Sequence, residues 1–284
     1  MDVSTSEALL SPFALAVLGV CVGSFLNVVI HRVPLMLERN WRRESADLLG
    51  VKPEVASEAV SLASPPSRCP HCKRPIRWHE NLPVFSYLAL RGRCAGCRAS
   101  ISARYPLIET ATGVLFGLVG WRFGATPVAL LWCAFVATLV ALAAIDWDTT
   151  LLPDNMTLPL LWSGLVASAA GWTIDLPSAL WGAVAGYLSL WSIYWIFKLA
   201  TGKEGMGFGD FKLLAALGAW LGIKMLLPIV LAASVMGAVV GIAMKLSAAL
   251  REGRYVPFGP FLAGAALVVM LAGQARVLSW LGWA

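Results

Sequence analysis

Long apolar runs, rather than alternating positions, dominate the hydrophobic pattern of this chain. They fall at about 9–30, 107–121, 128–146, 155–172, 178–197, 225–245 and 258–281, with a shorter one at about 211–223. Crossing a hydrocarbon core takes about 20 apolar residues in a helix. The pattern therefore predicts about eight transmembrane helices, the shorter run being either a short span or a re-entrant helix. The period-two alternation of an outer-membrane barrel is absent. One long polar interruption, 31–105, separates the first run from the second. The expected fold is all-α and polytopic: a first helix over 1–30, a cytoplasmic subdomain over 31–105, and a membrane domain over 106–284.

Composition agrees. The 284 residues are 58% hydrophobic and only 13% charged, with a mean hydropathy of +0.74; a soluble domain carries about 25% charge. Met1 to Glu7 holds no Lys or Arg, so the basic start of a cleavable signal peptide is missing and a retained helix is expected. Lys and Arg orient the spans. Thirteen of the 22 lie in 31–105. With eight spans, only Arg122, Lys224 and Arg276 fall on the face opposite that connection, which is therefore assigned to the cytoplasm. The net charge of +6 then reports cytoplasmic loops. No nucleic-acid-binding module accompanies it.

Two acids stand out against this background. Asp210 ends the glycine-punctuated stretch Gly205-Met206-Gly207-Phe208-Gly209-Asp210 and opens the run at 211–223. Asp146 ends the run Leu130 to Ile145. A carboxylate at the edge of a membrane segment is expensive and marks a functional site. The span count places both acids on the cytoplasmic side, where they can meet and share a water. Of two carboxyls sharing a site, one stays protonated while the other ionises, which is how an aspartyl protease divides its labour. Asp148 and Asp154 compete as the partner of Asp210. Asp154 follows Pro153 and suits the first turn of a helix, Asp148 lies in a polar turn, and Asp146 is the least hydrated of the three. Gly205, Gly207 and Gly209 are expected to permit positive φ or close backbone approach. Other readings of the same acids remain open: a structural pair neutralised by Lys203 or Lys212, and the ion pathway of a transporter or channel.

Within 31–105, Glu38 to Pro66 reads as one amphipathic helix and a loop. Beyond it, Cys69-Pro-His-Cys72 and Cys94-Ala-Gly-Cys97 have the spacing of a four-cysteine zinc site, with a redox pair as the rival reading. Thiols facing the cytoplasm stay reduced. Four thiolates leave no coordination position for water, so such a zinc is structural. His71 could replace one ligand. His-Glu-x-x-His is absent after His79-Glu80, as is Gly-x-Ser-x-Gly.

The ordered set of motifs resembles the type IV prepilin peptidases, also called prepilin leader peptidase/N-methyltransferases. The matching pieces are Gly23-Ser24-Phe25-Leu26-Asn27-Val28-Val29-Ile30-His31-Arg32, the two cysteine pairs, Glu80-Asn81-Leu82-Pro83, and Arg104-Tyr105-Pro106-Leu107-Ile108-Glu109. Asp146 with Leu152-Pro153-Asp154, Lys203 to Lys212, and Pro257-Phe258-Gly259-Pro260 complete the set. The resemblance implies a bacterial inner-membrane aspartyl protease with its active site on the cytoplasmic side and Asp146 and Asp210 as its catalytic acids. Asp148, Asp154, Gly207, Gly209 and Lys212 are implied as supporting residues. Implied substrates are type IV prepilins and type II secretion pseudopilins, cut after a glycine and then methylated on the new N terminus with S-adenosylmethionine. Asn27, Glu80, Asn81, Arg104 and Glu109, beside the cytoplasmic region, are the candidates for that second activity. No glycine fingerprint for the methyl donor is visible, and no oligomeric state is implied.

Overall fold

A computed structural model describes residues 10–51, 60–247 and 256–283. The expected loop at 52–59, with Lys52, and Arg251 and Arg254 of the charge count lie outside the described residues, as does the polar start Met1 to Glu7. The chain groups into two compact units, 1–141 and 142–284.

In the first unit, α1 (Pro12–Leu49) opens with Ser11 as its cap and Pro12 in its first turn. It does not stop where the hydrophobic run stops. It continues for 38 residues, about 57 Å at 1.5 Å per residue, until Gly50 adopts a left-handed φ of 63° and ends it. The amphipathic helix expected after Glu38 is thus the far end of the first helix. A loop folds back on it, because Arg32 donates to the carbonyls of Ser61, Leu62 and Pro65. A 3-10 turn (Trp78–Asn81) and α2 (Phe85–Ala89) follow, then α3 (Arg104–Phe123).

The α1–α3 contact is set by small residues. A Cβ on Gly19 would lie 2.7 Å from the Thr112 carbonyl oxygen, and one on Gly23 the same distance from the Glu109 Cα. Gly19 and Gly23 form a small-xxx-small seam, which lets helix backbones approach where lipid offers no hydrophobic drive.

The boundary between units falls within α4 (Pro127–Thr149). The second unit adds α5 (Asp154–Ala169), α6 (Leu176–Thr201), α7 (Phe208–Leu221), α8 (Leu226–Leu246), α9 (Gly259–Ala272) and α10 (Gln274–Trp280). Helix α7 is the core. From Asp210 to Leu221 every residue is buried except Lys212, which is half-buried. A helix apolar all round is one surrounded on all sides, and α5, α6 and α9 pack on it. The seam repeats here. A Cβ on Gly182 would lie 2.3 Å from the Gly218 carbonyl oxygen, and one on Gly186 2.7 Å from that of Leu214. On the α5 side, Trp220 Nε1 donates to the Leu160 carbonyl at 2.8 Å.

Each expected apolar segment is helical. Among the described residues, four helices (α1, α4, α6 and Ile223–Leu246) are long and apolar enough to cross a membrane, or five if α9 and α10 count as one. The others fall short for visible reasons. Helix α3 carries Arg104, Glu109 and Arg122, while α5, α7 and α9 have only 16, 14 and 14 residues. The run at 258–281 is not one straight helix: α9 and α10 meet at 105°. Gly273 supplies the break with a φ of 85°, a conformation that glycine adopts without strain.

Candidate functional site

Asp146 lies in the last turn of α4 and Asp210 in the first turn of α7; both are buried, at 4% and 7% exposure. The turns that carry them share one neighbour: Leu152 lies against Gly209, next to Asp210, and against Gly259, which meets Asp146. Asp146 accepts a hydrogen bond on Oδ2 from the Gly259 N–H at 3.0 Å. Gly259 is the first residue of α9, so the carboxylate also faces the positive end of a helix dipole. A Cβ at 259 would lie 2.5 Å from that same oxygen; only glycine lets the amide come so close. The amide N–H of Asp210 donates to the Gly207 carbonyl at 3.3 Å.

Leu152, 7% exposed, is the spacer between the two glycine-flanked turns. A Cβ on Gly209 would lie 2.7 Å from the Leu152 Cβ, and one on Gly259 3.3 Å from its Cδ1. The loop glycines therefore act through space rather than through φ. Gly205, Gly207 and Gly209 are absent from the positive-φ residues, and Gly207 has φ −84°. Gly205 passes Phe197, where a Cβ would meet Cδ1 at 2.9 Å, whereas nothing lies nearer than 4.0 Å at Gly207.

The competing acids are elsewhere. Asp148 is exposed in the last turn of α4, so it continues the helix and does not start a turn. Asp154 stands in the first turn of α5, and Lys212 Nζ donates to both of its carboxylate oxygens at 2.7 Å. Lys212 thus ties α5 to α7 and does not neutralise the acid pair. Asp154 is 54% exposed, so the tie contributes little on its own.

In the first unit, the sulfurs of Cys69, Cys72, Cys94 and Cys97 all lie within 4.8 Å of one another. Two matched hairpins present them. Arg68 pairs with Pro75 and Arg93 with Ser100, while Lys73 and Arg98 hold the same left-handed turn, φ 58° and 62°. The Cys69 and Cys97 sulfurs are 3.8 Å apart. A tetrahedron with metal–sulfur bonds of about 2.3 Å has edges of about 3.8 Å, so the set fits zinc. Backbone amides of Cys72 and His71 pull the Cys69 thiol down to about 6, while burial and the neighbouring thiols push Cys97 up to about 11. His71 is exposed and outside the cluster.

The five methylation candidates lie on α1, the 3-10 turn and the start of α3, and the partners of three are visible. Asn27 Nδ2 donates to the Tyr105 carbonyl at 3.2 Å. Glu109, 7% exposed, accepts from the Val84 N–H at 2.7 Å and so holds a residue at φ 59°. Glu80 accepts from the Arg77 amide and pairs with Arg74, and these two, the amide foremost, hold its carboxyl below the usual range. Arg74 in turn lies against Gly96 of the second hairpin. Asn81 is exposed and Arg104 half-buried.

Gly259, Leu152 and Tyr194 beside the loop were given no role by the sequence. Leu152 and Gly259 carried a signal only as members of the Leu152-Pro153-Asp154 and Pro257-Phe258-Gly259-Pro260 stretches; Tyr194 carried none.

Comparison with known proteins is consistent with this division. The description "Bacterial Peptidase A24 N-terminal domain" matches residues 17–123, and "Type IV leader peptidase family" matches 133–242. A protein of Stutzerimonas stutzeri named prepilin leader peptidase/N-methyltransferase is 52% identical over 94% of this chain and 93% of its own length. Proteins of the same name from Pseudomonas aeruginosa and Neisseria gonorrhoeae are each 48% identical, covering 100% and 96% of this chain and 98% and 96% of theirs. No solved structure matches. With relatives of one name aligned along nearly its whole length, and a paired-acid unit and a cysteine unit where the two descriptions fall, the chain belongs to the type IV leader peptidase family.

Proposed function

We propose that this chain removes the leader of type IV prepilins and type II secretion pseudopilins and methylates the new N terminus, with Asp146 and Asp210 as the cleaving pair. The observation that carries the reading is the burial of two carboxyl groups, from different helices, whose turns pack on the same Leu152 side chain. A water held between them loses a proton to the ionised acid, and its oxygen bonds to the scissile carbonyl carbon. The protonated acid donates to the carbonyl oxygen, and the C–N bond then breaks as the leaving nitrogen takes up a proton. The Gly259 amide occupies Asp146 Oδ2 and leaves Oδ1 for that water. Open space at Gly207 gives the extended substrate room to lie beside Asp210.

We assign the eight helical segments to eight spans and the acid pair to the cytoplasmic face, on the asymmetry of Lys and Arg. The four cysteines are assigned to a structural zinc, whose chemistry is to cross-link the two hairpins. S-adenosylmethionine is the donor that the N-methyltransferase names imply. Asn27, Glu80 and Glu109, each with a protein partner, and Asn81 and Arg104 beside them are the residues we assign to its neighbourhood. A transport role draws no support from the relatives.

Mass spectrometry of a prepilin incubated with the reconstituted protein tests the reading. Leader loss is expected without a donor, and one added methyl group on the shortened product with it. An intact prepilin in both arms would refute it.

A further inference from the structure

A second polar cluster stands beside the glycine loop. Lys198 Nζ donates to the Tyr194 hydroxyl at 3.1 Å and to Glu204 Oε1 at 2.9 Å, and the Tyr194 hydroxyl donates to the same Glu204 oxygen at 3.3 Å. Tyr194 is 2% exposed. Its ring packs on Phe208 at 5.2 Å and on Phe211 at 5.7 Å, two residues before Asp210 and one after it. The Lys198 ammonium, with help from the Tyr194 hydroxyl, holds the Glu204 carboxyl below its usual range.

An exposed ion pair by itself contributes little, and Glu204 is 71% exposed. What distinguishes this one is the buried tyrosine that both charges share. Through it, the end of α6, the loop at 202–207 and the first turn of α7 are joined at one point. At Gly205 a Cβ would lie 2.9 Å from Phe197 Cδ1, so the absence of a side chain there lets the loop lie close on the same helix.

We propose that Tyr194, with Lys198 and Glu204, positions Asp210 by seating the glycine loop on α6. The three touch neither substrate nor reacting atoms; they act through the turn that carries the acid. The proposal rests on the reading of Asp146 and Asp210 as the cleaving pair.

The test uses the full chain in lipid nanodiscs with a prepilin substrate. Tyr194→Phe keeps the ring and removes the hydroxyl. Lys198→Glu and Glu204→Lys are made singly and together. Methylation of an already cut pilin and the melting temperature serve as folding controls, and Asp210→Asn runs alongside. Loss of the shared hydrogen bonds is expected to lower kcat for cleavage about tenfold, with KM and both controls unchanged. The double charge exchange should recover most of what each single reversal loses. Wild-type kcat in Tyr194→Phe and in both reversals, with Asp210→Asn inactive, would overturn the positioning role alone. A fall in kcat matched by falls in melting temperature and methylation would reduce the cluster to ordinary packing and overturn it as well. Full cleavage by Asp210→Asn would instead bring down the underlying reading.

Discussion

Asp146 is held by an amide that only glycine could deliver. The hydrogen bond from Gly259 and the 2.5 Å approach of a Cβ to Asp146 Oδ2 make position 259 a spatial complement of position 146. Gly259→Ala is expected to push the carboxylate aside and lower kcat for leader cleavage about a hundredfold, the scale of an ångström-sized misplacement in an active site. Cleavage kinetics check this, with methylation of a pre-cut substrate as the folding control. The two acids were legible in the sequence because carboxyls at the ends of apolar runs are expensive. The amide that orients one of them was not, since it acts from 113 positions away. Of the two properties expected of the loop glycines, close approach holds at Gly205 and Gly209, against side chains, while positive φ does not.

Among the elements, α7 explains why a 14-residue helix can sit in a membrane protein. At about 21 Å it is shorter than a bilayer core of about 30 Å, but it is enclosed by α5, α6 and α9 and does not face lipid alone. Its contact with α6 depends on Gly182 and Gly218, whose added Cβ atoms would lie 2.3 and 2.1 Å from each other's carbonyl oxygens. Gly218→Val is therefore expected to separate the helices and destabilise the unit by about 1–3 kcal/mol or more, the scale of overpacking. Gly264→Ala, where a Cβ would come no nearer than 4.0 Å to Met236 Cε, should not destabilise it. Thermal unfolding of the two variants in the same detergent makes the comparison. Helix positions were readable from apolar runs, as in 128–146 against Pro127–Thr149. The stop of α1 was not, because a helix ends where its backbone turns, at Gly50, and not where hydrophobicity ends.

At the scale of the whole molecule, the two units carry separable chemistry: paired acids in 142–284 and a four-sulfur cluster in 1–141. The cluster was legible because its spacing admits few alternatives, whereas the matching of its two hairpins required coordinates. About one zinc per chain is expected. Cys72→Ser should lower it and expose the segment around 67–100 to limited proteolysis, as metal analysis and peptide mapping would report. Full protection without bound metal would contradict the assignment. The central claim is met most directly by one measurement: mass spectrometry of a prepilin after incubation with Asp146→Asn or Asp210→Asn protein in membranes. The account predicts that the leader stays attached with either variant while an already cut pilin is still methylated; complete leader removal by both would contradict it.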